Sequence, residues 1–295
     1  MGARPGDLTL RDALRWAVRI LAVEGLDSPR LDAELLLGHI VGMERAQLYA
    51  HDDDTLAHPQ AVRYRDLVRR RADHEPVAYL IGRRPFWDLN LGVAEGVLIP
   101  RPETEHLVEA ALDWCATQGD RPLRVVDVGT GSGAIAAVVA KHVPSAHVTA
   151  IDISADALTI ARRNMVYAGL DARVSLICAD LLDALSGPLD LIAANLPYIP
   201  RDEIEALEPD IRDYEPRMAL DGGLDGLDLI RRLLARAPAV LGQPSLLLLE
   251  IDHRQADPVA NLCSRRLADA NVRVIPDYAG LARVVCAERP AVSPQ

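Results

Sequence analysis

Residues 125–136 read VVDVGTGSGAIA: an apolar strand runs into three glycines spaced two apart and then into the start of a helix. Gly129, Gly131 and Gly133 allow a tight turn and let a ligand approach the main chain where a Cβ would otherwise stand. Strand, glycine turn and helix in that order belong to a parallel α/β sheet, which binds ligands beyond the carboxyl ends of its strands. The next apolar run, HVTAID, ends on Asp152, 23 residues after Gly129. A carboxylate there can accept both hydroxyls of a ribose. The turn therefore predicts a nucleoside-containing ligand, and a plain βα turn without one would leave Asp152 unaccounted for.

The rest of the chain fits that frame. From residue 106 onward apolar runs alternate with amphipathic stretches: LRVVDVG (123–129), HVTAID (147–152), RVSLICAD (173–180), LDLIAANL (189–196) and SLLLLEI (245–251), with ALTIARRNMVYAG and GLDLIRRLLARAPAVL among the helices between them. Nearly continuous apolar strands imply a sheet covered on both faces. The last two runs, NVRVIPD and ARVVCAE, have no helix between them and are expected to pair antiparallel. Residues 1–75 show no strand alternation and read as a small helical bundle. TLRDALRWAVRILAVEG has Thr9 as cap, a stripe of Leu10, Leu14, Ala17 and Leu21, and Gly25 at its close; SPRLDAELLLGHIVG has Ser28 as cap and Pro29 at the first helical position; PQAVRYRDLVRRRADHEP is a third helix. Residues 76–105, punctuated by Gly and Pro, predict a linker carrying a β-hairpin. The expected organisation is a helical domain over 1–75, a linker over 76–105 and an α/β domain over 106–295.

Composition narrows the function. The net charge is −11, and residues 1–90 hold 13 Arg against 14 Asp or Glu, so nearly all of the excess lies beyond them. That argues against nucleic-acid binding, which needs an excess of Lys and Arg on phosphates. Cys115, Cys178, Cys263 and Cys286 form no CxxC pair, and three lie in apolar stretches, so reduced core thiols are expected rather than disulfides or zinc. The scattered histidines likewise predict no metal. No apolar run approaches the ~18 residues that span a bilayer, and MGARPGDLTLRDALRW is too charged for a signal-peptide core. A cytoplasmic protein is expected.

The glycine turn admits two nucleosides. With Ala134 in third place it fits a dinucleotide fingerprint and a nicotinamide oxidoreductase. Its G-x-G-x-G form also suits S-adenosylmethionine, with Asp180, at the end of ICAD, holding the adenine amino group and Leu181 packing on the base. The stretch AANLPYIP (193–200) decides between them. Asn195 stands where strand four should end, offering an acceptor oxygen and an NH₂ donor. Pro197 and Pro200 stiffen the turn, and Tyr198 supplies a flat face. A dehydrogenase has no use for this set, whereas an amide or exocyclic amine facing an electrophile does. If Asn195 and the main-chain carbonyl of Leu196 accept its two N–H bonds, positive charge growing on nitrogen is stabilised and its direction of attack is fixed. No strong base is required.

These motifs resemble the S-adenosylmethionine-dependent methyltransferases that modify a glutamine of peptide chain release factors, the HemK/PrmC family. The similarity covers nearly the whole chain: EPVAYLIGRRPFW (75–87), LIPRPETE (98–105), VVDVGTGSGAIA, AIDIS, the N-x-P-Y turn and YEPRMALDGGLDGLD (214–228). LIPRPETE ahead of the glycine turn is the most specific, since other N-x-P-Y methyltransferases lack it. The resemblance implies a Rossmann-like class I methyltransferase sheet, mostly parallel with an antiparallel last strand, behind a helical domain that helps dock the release factor. It implies that Gly129, Thr130, Gly131, Ser132, Gly133, Asp152, Asp180, Leu181 and Asn195 bind the cofactor. Asn195, Leu196, Pro197 and Tyr198 would bind the glutamine of a Gly-Gly-Gln loop, with Asn195, Pro197 and Tyr198 carrying catalysis. Three positions depart from the family: Leu196 replaces a second proline, Asp252 stands where glycine is common, and Ala282 where a polar residue is frequent.

Two rival readings share the site. An exocyclic adenine amine suits the same turn, so a DNA adenine N6-methyltransferase is the alternative enzyme; it needs a flipped base and a basic groove, against which the charge balance speaks. A catalytically weak scaffold that binds translation factors is the other, with Leu196 as its sign. Elsewhere, Arg63 to Arg71 with Arg83 and Arg84 read as a solvated face rather than a docking patch. Arg101, Glu103 and Glu105 line the pocket by resemblance, or staple the linker to the sheet. HDDD (51–54) reads as a polar turn and helix start, and Phe86 and Trp87 as hydrophobic anchors.

Overall fold

The computed structural model describes residues 8–291; the expectation that the chain's first residues form no leader lies partly outside them. Contacts divide the chain into two units, one reaching to Gly82 and including Glu208–Tyr214, the other Arg83–Leu207 with Glu215 onward. The first contains α1 (Leu10–Val23), α2 (Pro29–Val41), α3 (Arg45–Ala50), α4 (His58–Ala72) and α5 (Val77–Ile81). Thr9 caps α1 as expected, its Oγ1 accepting the Asp12 N–H at 3.1 Å. Leu10, Ala13, Ala17 and Leu21 form the buried face, with Leu14 half-buried at its margin. Ser28 stands at the start of α2 but makes no side-chain cap, so Pro29 and its fixed φ set the entry. The sequence offered no reading of α3, which is held by reciprocal bonding of Glu44 and Gln47. HDDD forms the expected turn, where Asp52 and Asp53 pair with Arg11 at 2.7 and 2.8 Å, but no helix begins there. On α4, Arg63, Arg65 and Arg69 are solvated; Arg71 turns inward to Asp32 at 2.7 Å.

The second unit opens with the expected hairpin, β1 (Arg83–Phe86) against β2 (Leu89–Gly92), in register Phe86↔Leu89. The helix α5 falls on the first-unit side of the division and the hairpin on the other. The stretch read as a linker is therefore divided at Gly82, seven residues past the expected edge. Phe86 is buried and anchors the hairpin, whereas Trp87 is 39% exposed at its tip with φ +54°. After α6 (Thr104–Thr117) follow β3 (Leu123–Val128), α7 (Ala134–His142), β4 (Ala146–Asp152), α8 (Ala155–Ala168), β5 (Val174–Cys178) and β6 (Leu189–Ala194). Next come α9 (Pro209–Arg212), α10 (Asp228–Val240), β7 (Leu241–Glu250), α11 (Ala256–Arg266), β8 (Asn271–Pro276) and β9 (Ala282–Arg289). The short α9 lies in the segment that clusters with the first unit, where Tyr214 Oη donates to the Asp73 carbonyl at 2.7 Å.

The strand order is β5-β4-β3-β6-β7-β9-β8. The first five run parallel, and β9 pairs antiparallel with both β7 and β8. Alternate residues serve opposite faces: Val125, Leu246 and Leu248 pack under α6 and α7, while Val126, Leu247 and Leu249 pack under α10 and α11. Two covered faces explain the unbroken apolar runs. The chain moves outward from β3 to β4 and β5, then returns to β6 on the other side of β3. That reversal opens a crevice above the carboxyl ends of β3 and β6, which is where this sheet type receives ligands.

Candidate active site

The register of β3 and β6 pairs Val128 with Ala194, so the glycine turn and the Asn195 turn leave the sheet side by side. Gly129 and Gly131 have φ of +73° and +55°, which a side chain would strain. A Cβ on Gly129 would stand 3.1 Å from Leu196 Cδ2, whereas one on Gly131 would meet nothing within 4 Å. The main chain at Gly131 thus borders open space, a cavity of about 190 Å³ that is partly open to solvent. Gly129, Gly131, Asp152, Asp180, Leu181, Asn195, Leu196 and Pro197 all line it.

The carboxylate of Asp152 is fixed by two main-chain donors: Gly131 N–H at 2.8 Å and Ser154 N–H at 2.9 Å. It is aimed at the cavity with lone pairs to spare. Asp180 is paired with Arg232 of α10 at 2.6 Å, and Arg232 itself lines the cavity. Arg232 lies 52 residues beyond its partner, and no local pattern announces it. Leu181 holds a left-handed φ of +48°, a conformation costing a bulky residue about 1–2 kcal/mol. Ile153, Ala179 and Leu229 complete an apolar wall beside these carboxylates.

At the other end of the cavity the Asn195 Nδ2 donates to Thr104 Oγ1 at 3.0 Å. That bond takes one of the two Nδ2 N–H donors and fixes the plane of the carboxamide, with Oδ1 at its other end. Thr104, the first residue of α6, is 4% exposed. Behind it lies Glu250, 1% exposed at the end of β7, with Tyr198 Oη 3.4 Å from its Oε1. Burial pushes the Glu250 carboxyl up to about 7, against the nearby Thr104 hydroxyl and the charge of Arg283. Burial likewise raises the Tyr198 hydroxyl, with the Glu250 charge adding to it. Thr104 and Glu250 were overlooked in sequence, though a lone glutamate closing LLLLE was a visible signal.

Other expected site residues stand apart. Gly133 does not line the large cavity and packs instead: a Cβ there would fall 2.6 Å from Met165 Cε on α8. Thr130 and Ser132 face a smaller recess shared with Thr104 and Asn195. Thr130 Oγ1 donates to Asp127 at 2.5 Å, and the Ser132 carbonyl accepts from Asn164 at 2.8 Å, so both brace the turn. Tyr198 is not among the residues lining the large cavity; its hydroxyl faces Glu250. Arg101 pairs with buried Glu215 at 2.6 Å, and Glu105 accepts the Trp87 N–H at 2.9 Å, so these two staple the chain rather than line the cavity. Glu103 precedes α6 as its cap position. The side chain of Leu196 is 4% exposed and lies against Gly129, its Cδ2 3.1 Å from where a Cβ there would stand. Cys115, Cys263 and Cys286 are buried free thiols, and Cys178 is an exposed one. Among the described residues no cluster of His, Cys, Asp or Glu could hold a metal ion, and no helix is long and apolar enough to cross a membrane.

The cavity suits S-adenosylmethionine on its own chemistry. Asp152 and Asp180 offer acceptors for hydroxyl and amino groups, the Leu181 wall suits a flat base, and Gly131 leaves room for the chain that joins them. Residues 12–82 match the PrmC N-terminal domain family, and residues 125–213 match a methyltransferase domain family. A release factor glutamine methyltransferase of Moorella thermoacetica is 45% identical, with 96% of this chain and 99% of that protein aligned. The release factor glutamine methyltransferase of Rhodopirellula baltica is 40% identical over 95% of this chain and 96% of its own length. The solved hMettl16 catalytic domain, in complex with the MAT2A 3′UTR hairpin 6, shares the fold alone: TM-score 0.55 and 14% identity, over 80% of this chain and 84% of that one. Sheet order, glycine turn and full-length similarity converge: the chain belongs to the release factor glutamine methyltransferases, a class I family that uses S-adenosylmethionine.

Proposed function

We propose that this protein transfers a methyl group to the side-chain amide nitrogen of the glutamine in the Gly-Gly-Gln motif of peptide chain release factors. The observation that carries the reading is the Asn195 carboxamide, held by Thr104 through Nδ2 in the wall of the cavity that Gly129, Gly131 and Asp152 also line. Bound S-adenosylmethionine supplies an electrophilic methyl on sulfur. Asp152 binds the ribose hydroxyls, Asp180 accepts from the adenine amine, and Leu181 packs on the base. Asn195 Oδ1 and the Leu196 carbonyl accept the two N–H bonds of the glutamine amide, so its nitrogen lone pair is directed at the cofactor end of the cavity. An amide nitrogen is a weak nucleophile, and two fixed acceptors stabilise the positive charge that grows on it. Alignment then supplies much of the remaining rate.

The direct test incubates the protein with methyl-labelled S-adenosylmethionine and either a release factor or duplex DNA, then locates the label by peptide mass spectrometry. Label on the Gly-Gly-Gln glutamine is expected. Label on DNA would support the adenine reading, and label on neither would support the scaffold.

A further inference from the structure

We propose that Arg232 is a positioning residue that gives the cofactor site its preference for adenine, by holding the Asp180 carboxylate as an acceptor for the exocyclic amine. The inference rests on the proposed reading, in which adenine lies at Asp180, and deepens it. Adenine and hypoxanthine have the same outline, but the group at ring position six is an amine donor in one and a carbonyl acceptor in the other. An ionised carboxylate can only accept. Fixed at that edge of the base, it bonds the amine and rejects the carbonyl.

The two carboxylates of the cavity are held in different ways. Asp152 is gripped by two main-chain donors, Gly131 N–H at 2.8 Å and Ser154 N–H at 2.9 Å. The turn itself therefore fixes that acceptor. Asp180 has no such cradle. Among the described residues, the one hydrogen bond to its carboxylate comes from Arg232 Nη2, which donates to Oδ2 at 2.6 Å. Without that bond a partly exposed aspartate is free to change rotamer, and the cost of ordering it would fall on ligand binding.

The pair is placed to act on a ligand rather than on folding. Both members are exposed enough that their attraction contributes little to stability. Both line the cavity, as does Leu229, three residues before Arg232 and so on the same face of α10. A second ion pair ties the same loop to the same helix one turn further on: Arg236 and Asp183 approach to 3.9 Å, and neither lines the cavity. The loop thus has one ion pair against the cofactor space and one away from it. If Arg232 merely stapled the loop, the two would be equivalent; if it positions Asp180, only the first affects which base is bound.

The test measures by calorimetry the affinity of the full-length protein for S-adenosylhomocysteine and for S-inosylhomocysteine, its analogue with a carbonyl at position six. The proteins compared are the wild type, Asp180→Asn, Arg232→Met, Arg236→Met and the Asp180→Asn, Arg232→Met double variant. The wild type should prefer the adenosyl ligand by about 10- to 100-fold. Asp180→Asn, whose carboxamide can serve either base, should lose most of that preference. Arg232→Met should lower it by about 5- to 10-fold, through weaker adenosyl binding with inosyl affinity kept within about three-fold. Arg236→Met should match the wild type. In the Asp180→Asn background, Arg232→Met should change the preference by less than about two-fold, since a residue that acts through another has nothing left to position. Wild-type preference in Arg232→Met would overturn the proposal, as would an equal loss of both ligands, an equal effect of Arg236→Met, or a full Arg232→Met effect in the Asp180→Asn background. A wild type without preference, or an Asp180→Asn protein that keeps it, would instead move adenine away from Asp180 and remove the reading on which the proposal rests.

Discussion

Asn195 shows how much one side chain can be asked to do. Its Nδ2 donates to Thr104, and the residue lines the cavity. On the proposed reading, removing it deletes the acceptor for a charge that develops during the reaction, while Asp152, Asp180 and Leu181 are untouched. Asn195→Ala should therefore lose about 10²- to 10³-fold in kcat, with S-adenosylhomocysteine binding largely retained in calorimetry. Turnover within a few-fold of wild type would mean that something else holds the amide. Asn195 was legible in sequence because a carboxamide followed by a rigid turn is out of place at the end of an apolar strand. Its support was not. Thr104, Asn195 and Glu250 come from α6, the end of β6 and β7, and no local pattern links positions so far apart. The pairing of Asp180 with Arg232 was hidden in the same way.

At the scale of elements, strands were the most readable part. A strand buried on both faces is an uninterrupted apolar run, and five such runs became β3 to β7 within a few residues of where the sequence put them. Short elements were harder: α3 spans six residues and depends on the Glu44 and Gln47 exchange rather than on periodicity. The glycine turn carried two messages that sequence alone merged. Gly129 and Gly131 border the cavity, whereas Gly133 allows α7 to start against α8. Gly133→Ala places a methyl 2.6 Å from Met165 Cε at a φ of +85°, and should destabilise the protein by roughly 1–3 kcal/mol. Thermal unfolding with the Gly133→Ala, Met165→Ala double variant separates the two causes. Partial recovery of the lost Tm shows the clash, and no recovery assigns the loss to backbone strain. Asn164 adds a tie between elements, bonding both the Gly92 main chain of the hairpin and the Ser132 carbonyl of the turn.

The whole molecule carries its ionisation as a stability profile. Burial pushes the Asp127 carboxyl up to about 6, opposed by the Thr130 hydroxyl and the Ala136 N–H and assisted by the Asp152 charge; Glu250 reaches about 7. Unfolded carboxyls titrate near ~4. Both groups therefore hold protons more tightly in the folded state, and the stability they contribute below pH ~4 is lost as pH rises through about 6 and 7. Surface carboxylates such as Asp88, held down by hydrogen bonding to Lys141, act in the opposite sense, losing their contribution as pH falls below ~4. Between pH 5 and 8 the Tm should fall, and Asp127→Asn should flatten its share of that decline, roughly 5 °C. A variant curve parallel to the wild type in scanning fluorimetry would show that Asp127 is already ionised at pH 5. The partition of the chain has a further effect, on the order of its making. Glu208–Tyr214 completes the first unit, so the Tyr214 hydroxyl that bonds the Asp73 carbonyl leaves the ribosome more than a hundred residues after the helices it joins. The bundle translated earliest is thus finished late, after β6 has already been synthesised.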